Sequence, residues 1–238
     1  VTHMWMEHMQ FYLLKAAVEL AKQYGACEWF HKTKYSKGIL PIDTCTNTEL
    51  NSHPLLLDWE WLREFIKRVG LRFSTHTAAM PVESSSVTFS LVNGNEFPRA
   101  PVTFKGNKKL TSAVCVPKIE EYGEHYVYAW DNKKVDKNAL YLAMASNFCK
   151  FIDQSQSYNF YFDLTKGKID ELELFKTLFI NPCREGIKTT YYLNFNTDVI
   201  EEETNTQSEE MTQDEKEFFE QLKQLEMESS CAGGSCTL

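Results

Sequence analysis

The chain has 238 residues, 43% hydrophobic and 13% aromatic, enough for one large domain or two small ones with a real core. Its net charge of −8 is uneven: from Asp198 onward 12 acids stand against 2 lysines, a net of −10, while the rest of the chain carries +2. There is no basic stripe for nucleic acid, no apolar run near the roughly 18–20 residues that span a bilayer, and no paired spacing among Cys27, Cys45, Cys115, Cys149 and Cys183 of the kind a secreted disulfide framework needs. The opening Val1-Thr2-His3-Met4-Trp5-Met6-Glu7 lacks a basic segment followed by an apolar one, so a cytoplasmic location is expected.

Apolar residues at Met6, Met9, Leu13, Leu14, Ala17, Leu20 and Ala21 predict a helix over 4–24 that stops at Gly25. So apolar a helix at this point resembles the interior of a larger protein. A second helix is expected over 57–69, with Trp59, Leu62, Phe65, Ile66 and Val69 on one face and Gly70 behind it. Residues 71–80 read as a strand ending at Pro81, and 84–91 as a short helix. Short strands and loops are expected over 97–119, helices over 139–154 and 168–179, and a last strand over 187–193. Helices between strands make a mixed α/β pattern. The body is expected to occupy 1–197 and a flexible acidic tail 198–238, whose composition cannot bury enough surface to offset ordering entropy. Within the tail, Thr212-x-x-Glu215 followed by Phe218, Phe219, Leu222 and Leu225 reads either as a short docking helix or as a partly helical linker.

Three groups of residues carry chemistry. Cys231 and Cys236 flank Ala232-Gly233-Gly234-Ser235 at the end of the tail. A bridge there would close a tiny loop and restrain little chain, and a zinc site would need about four ligands. The pair is either a mobile dithiol that exchanges electrons with a disulfide elsewhere or two inert exposed thiols. Next, Met80-Pro81-Val82-Glu83-Ser84-Ser85-Ser86 lies where a strand meets a helix. It is either an anion site of helix N–H groups and hydroxyls or ordinary serine capping. Third, Tyr191-Tyr192 sits in the last strand, where neighbouring side chains point to opposite faces. One ring would then be in the core and one at the surface, unless the strand distorts and stacks them into a pair able to carry a radical.

In this order and spacing the three groups resemble the C-terminal part of the large (alpha) subunit of class Ia ribonucleoside-diphosphate reductase. Tyr12-Leu13-Leu14-Lys15-Ala16, Gly25-Ala26-Cys27-x-Trp29-Phe30, Lys37-Gly38-Ile39-Leu40-Pro41-Ile42-Asp43-Thr44, Asn93-Gly94-x-Glu96-x-Pro98-Arg99, Lys150-Phe151-Ile152-Asp153-Gln154-Ser155 and Lys188-Thr189-x-Tyr191-Tyr192 look like the family as well. The resemblance implies an α/β fold: the C-terminal part of a ten-stranded α/β barrel, plus a small α/β region and the disordered tail. It implies that Pro81, Val82, Glu83, Ser84 and Ser85 hold a substrate diphosphate. Val82 stands where the family usually has a small hydroxyl residue, so one side-chain contact is expected to be missing while backbone N–H contacts survive.

By the same resemblance Tyr191 and Tyr192 pass a radical, and Cys231 and Cys236 re-reduce an active-site disulfide using thioredoxin or glutaredoxin. The family's Asn-x-Cys-x-Glu finger loop lies upstream of the region this chain resembles. The same spacing occurs here as Asn181-Pro182-Cys183-Arg184-Glu185, but directly before the Lys188-Thr189-x-Tyr191-Tyr192 motif, so by the resemblance none of the five single cysteines takes the place of the radical-bearing or reducing cysteines. The expectation is a split large subunit of phage type, inactive alone and binding no cofactor of its own. Its expected partners are an N-terminal piece of the large subunit and a small (beta) subunit that holds a di-iron centre and the radical. The alternative is a non-catalytic or regulatory fragment that only occupies the partner surface.

Overall fold

The computed structural model describes residues 1–89, 91–107, 110–130, 135–167 and 169–196. The tail 198–238, with Cys231, Cys236 and the segment 212–225, lies outside the described residues.

The first helix, α1 (Thr2–Tyr24), ends at Gly25, whose φ of 81° is open to glycine at little cost. After it, α2 (Thr48–Ser52) is capped by Asn47, which accepts from the Leu50 N–H. Helix α3 (Trp59–Val69) is capped by Asp58 through the Trp61 N–H at 2.9 Å. It stops at Gly70, where φ is 88° and an added Cβ would lie 2.6 Å from the Ala26 Cβ. Helix α4 (Glu83–Phe89) follows, then an antiparallel pair, β1 (Val102–Asn107) with β2 (Leu110–Cys115), in register Val102 opposite Cys115. Next come α5 (Ile119–Tyr122), α6 (Lys137–Phe151) and β3 (Tyr158–Asp163). Then α7 (Glu171–Phe175) runs through a π turn over Lys176–Ile180 into α8 (Asn181–Arg184), and β4 (Thr190–Asn196) pairs with β3.

The chain divides into two compact units. In the first, one core joins α1, α3 and the end of α6 through Phe11, Leu14, Val18, Trp59, Leu62, Ile66 and Phe151. A second cluster packs α6 on β3 through Tyr141, Ala145, Tyr158 and Phe160, with the Tyr141 and Tyr158 rings stacked at 4.8 Å. The described part of the second unit is a turn at Leu164–Lys166, capped by Asp163, and Asn196, whose side chain donates to Asp163 at 3.2 Å.

Several expectations are corrected. Residues 71–80 form no strand; only Ala79 makes an isolated parallel bridge, to Gln156. Their N–H groups are committed elsewhere: Arg72 to the Ala17 carbonyl, and His76 and Thr77 to the Asp153 carboxylate. No ladder can form from donors already used. The buried face of α1 is Met6, Gln10, Leu14, Ala17, Val18 and Ala21, whereas Met9, Leu13 and Leu20 are exposed along with Trp5, Tyr12 and Tyr24. Helix α6 ends at Phe151 because Ile152 is already extended, and the helix expected over 168–179 runs instead over 171–184. Strand β3 was not anticipated. Tyr158, Asn159, Phe160, Tyr161 and Phe162 are all buried, so no alternation marks it.

Candidate functional site

Three extended segments lie side by side and carry the predicted residues. The central one runs from 154 into β3. On one flank, the Ala79 N–H donates to the Ser155 carbonyl at 3.1 Å, and the Ser157 N–H donates back to Ala79 at 2.9 Å. This fixes the approach to Pro81. On the other flank, Lys188 Nζ donates to the carbonyls of Ile152 and Gln154 at 2.6 and 2.9 Å. Thr189 adds hydroxyl contacts to Ser155 at 2.6 Å and to the Gln156 carbonyl at 3.3 Å. Burial of its ammonium pulls the Lys188 pKa down. Lys188 and Thr189 thus tie the start of β4 to the segment that also positions residue 79.

At 81–85 the chain enters α4. The Ser86 N–H donates to the Val82 carbonyl at 2.8 Å, closing the first turn. Helix geometry then leaves the N–H groups of Glu83, Ser84 and Ser85 without an acceptor inside the helix. The Val82 N–H, however, donates to the Asn93 carbonyl at 2.8 Å. The expectation that backbone donors at this loop stay available is corrected at that one position. Pro81, Val82, Ser84 and Ser85 are exposed, while Ser86 is buried with its hydroxyl 2.6 Å from Asn93 Oδ1. The serine nearest the body is therefore tied to the Asn93 side chain, and Ser84 and Ser85 before it are exposed.

On β4, Tyr191 and Tyr192 lie on the same side. Their ring centroids are 3.9 Å apart, and the Tyr191 hydroxyl donates to that of Tyr192 at 3.0 Å. That bond and the neighbouring phenol raise the Tyr191 pKa above the ordinary tyrosine value. Both rings are more than half exposed or close to it, at 50% and 59%, so neither enters the core. Beside the pair, the Tyr192 N–H donates to the side-chain Oδ1 of Asn159 at 3.1 Å. A paired phenol dyad at a surface can pass an electron between rings and shift a proton along the hydroxyl bond.

The structure brings 81–85 and Tyr191–Tyr192 to opposite flanks of one segment; Cys231 and Cys236 lie outside the described residues. Sequence reading missed Asn159 and the roles of Glu96, Lys188 and Thr189. For Asn159 the available signal was a polar residue within the aromatic run Tyr158–Phe162. A cleft of about 480 Å³ lined by Tyr35, Leu40, Ser74, Asp153 and Lys188 contains none of the predicted residues. Among the described residues no group of three or more His, Cys, Asp or Glu side chains could hold a metal ion. Among them also no helix is long and apolar enough to cross a membrane.

Comparison with known proteins gives this arrangement its family. Residues 1–193 match the family model described as ribonucleotide reductase, barrel domain. The ribonucleoside-diphosphate reductase subunit alpha of Haemophilus influenzae is 37% identical over all of this chain and 29% of its own length. That of Enterobacteria phage T4 is 36% identical over 82% of this chain and 26% of its own. The Escherichia coli ribonucleoside-diphosphate reductase 1 subunit alpha is 43% identical over the same shares. The chain spans between a quarter and a third of these relatives. With the match running from α1 through the tyrosine pair of β4, the chain belongs to the ribonucleotide reductase barrel-domain family.

Proposed function

We propose that this chain is the C-terminal component of a class Ia ribonucleoside-diphosphate reductase large subunit, working in an assembly that converts ribonucleoside diphosphates to 2′-deoxyribonucleoside diphosphates. The observation that carries the reading is the close, hydrogen-bonded Tyr191–Tyr192 pair, its rings tilted at 43°, on a strand tied to the segment that also holds the 81–85 loop. In the proposed division of labour, the N–H groups of Glu83, Ser84 and Ser85, which have no acceptor inside the helix, receive the diphosphate of the substrate. Tyr192 and Tyr191 relay a radical that a small subunit with a di-iron centre generates. The 2′-hydroxyl leaves as water and hydrogen takes its place, while a dithiol gives up two electrons and two protons to become a disulfide. Cys231 and Cys236 then restore that dithiol by exchange and are themselves reduced by thioredoxin or glutaredoxin.

The one Asn-x-Cys-x-Glu sequence of the chain, Asn181-Pro182-Cys183-Arg184-Glu185, lies on helix α8 and its C-cap with Cys183 exposed rather than on a finger loop, so the radical-bearing cysteine would come from an N-terminal piece of the large subunit. The exposed apolar side chains of α1, among them Trp5 at 67% and Tyr24 at 66%, support such an assembly, since contiguous apolar surface marks an interaction face. The deciding experiment mixes this chain, an N-terminal piece and a small subunit, and measures formation of deoxycytidine diphosphate. Turnover that needs all three components is expected. A complex that assembles but does not turn over would leave only the reading of a non-catalytic fragment.

A further inference from the structure

We propose that Asn159 and Glu96 are positioning residues that hold Tyr191 and Tyr192 as a close, hydrogen-bonded pair; the functional value of this rests on the relay reading above. Successive side chains of a regular strand point to opposite faces, so two adjacent rings with centroids 3.9 Å apart need a local contact that turns them toward each other. Next to the pair, the Tyr192 N–H donates to the side chain of Asn159. A side-chain acceptor at that point sets the orientation of residue 192 relative to its neighbour.

Such an acceptor is useful only if it stays put. The terminal torsion of an amide is broad and two-fold, and a flipped Asn159 would present a donor to a donor. Two neighbours fix its sense. Only Oδ1 can accept from Tyr192, and only Nδ2 can donate to a carboxylate, which it does to Glu96 Oε2. Glu96 is held in turn: the same oxygen accepts from the Tyr161 hydroxyl at 2.6 Å. Tyr161 and Asn159 are buried at 6% and 8% exposure, and the Tyr161 ring packs against Trp130 at 5.7 Å. A buried frame therefore dictates the geometry of two half-exposed rings that have little packing of their own.

The test places 3-fluorotyrosine at 191 or at 192 and follows both phenols by fluorine NMR as pH is raised. In the unaltered chain the label at 191 should titrate above free 3-fluorotyrosine and shift when Tyr192 is replaced by Phe. In Asn159→Ala that upward displacement should be lost, with the helical signal in circular dichroism retained. Asn159→Asp alone sets a carboxylate against Glu96 and should also lose it. Asn159→Asp combined with Glu96→Gln reverses the donor and acceptor roles, keeps an acceptor for Tyr192, and should restore the displacement. Should Asn159→Ala fail to fold, the reversed pair still decides. The proposal is overturned if folded Asn159→Ala keeps the displaced titration, or if the reversed pair folds without restoring what Asn159→Asp removed. These spectra need no partner, so they test the positioning whether or not the reconstituted assembly turns over.

Discussion

Removing the charge of Asp153 by an Asp153→Asn substitution probes how the 76–79 approach to the 81–85 loop is held. Its carboxylate accepts from the His76 N–H at 2.8 Å, the Thr77 N–H at 2.9 Å and the Tyr35 hydroxyl at 3.0 Å. Desolvation pushes the carboxyl pKa up, but the hydrogen bonds from His76, Thr77 and Tyr35 together outweigh it, and the pKa lies below the ordinary value. In the variant one oxygen survives and one becomes an NH₂ that faces donors. A hydrogen bond to a charged group contributes about 1.5–3 kcal/mol, and a buried donor left unmade costs about 1–3 kcal/mol. The expected loss is about 2–4 kcal/mol, out of a total stability of about 5–15 kcal/mol for a domain.

Urea unfolding read by tryptophan fluorescence suits the measurement, because Trp59 is buried in the affected core. With a slope of about 1–3 kcal/mol per molar urea, the midpoint should fall by about 1 M or more at neutral pH. The sign with pH follows from the depressed pKa. The carboxylate's contribution is complete above about pH 3.9, the unfolded value, and disappears as pH falls through the lower folded value. The gap between the two proteins should therefore close in strong acid. Equal midpoints at neutral pH, or a gap that persists unchanged in acid, would refute the reasoning.

Tyr191→Phe or Tyr192→Phe should abolish turnover of the reconstituted assembly while co-purification of its parts is unaltered; appreciable turnover in either variant would sink the relay. Cys231→Ser or Cys236→Ser should block turnover driven by thioredoxin yet spare turnover with dithiothreitol, which can reach the active site itself, and equal loss with both reductants would count against a shuttle. Gly70→Ala should cost about 1–3 kcal/mol through overpacking, read as a lower thermal midpoint, since its Cβ would lie 2.6 Å from that of Ala26 at a φ of 88°; an unchanged midpoint would contradict the close approach.

How far the sequence could be read varies with how local the causes are. Helix α3 was legible, because its apolar stripe at Trp59, Leu62, Phe65 and Ile66 and the stop at Gly70 are all local signals. Helix α1 was legible as a helix but not as to which side is buried. It is apolar nearly all round, so periodicity could not separate Leu14 in the core from Leu13 at the surface. The segment 71–80 has strand-like residues, yet an aspartate about 76 positions away captures its N–H groups. Of the candidate site, the tyrosine doublet was visible in the sequence while the close approach of its rings was not. The neighbouring frame joins Asn159 to Glu96, 63 positions apart, and no local pattern announces such a pairing.

The exposed side of α1 also bears on how this chain must be produced. Trp5, Tyr12, Leu13 and Tyr24 stand in water on one helix, with further apolar side chains exposed at Leu172, Phe175 and Phe179. Copies made in excess of whatever covers these faces would meet one another first. Yield of usable material should then be set by the ratio in which chain and cover are synthesised, with surplus appearing as aggregate rather than as a reserve of free subunit.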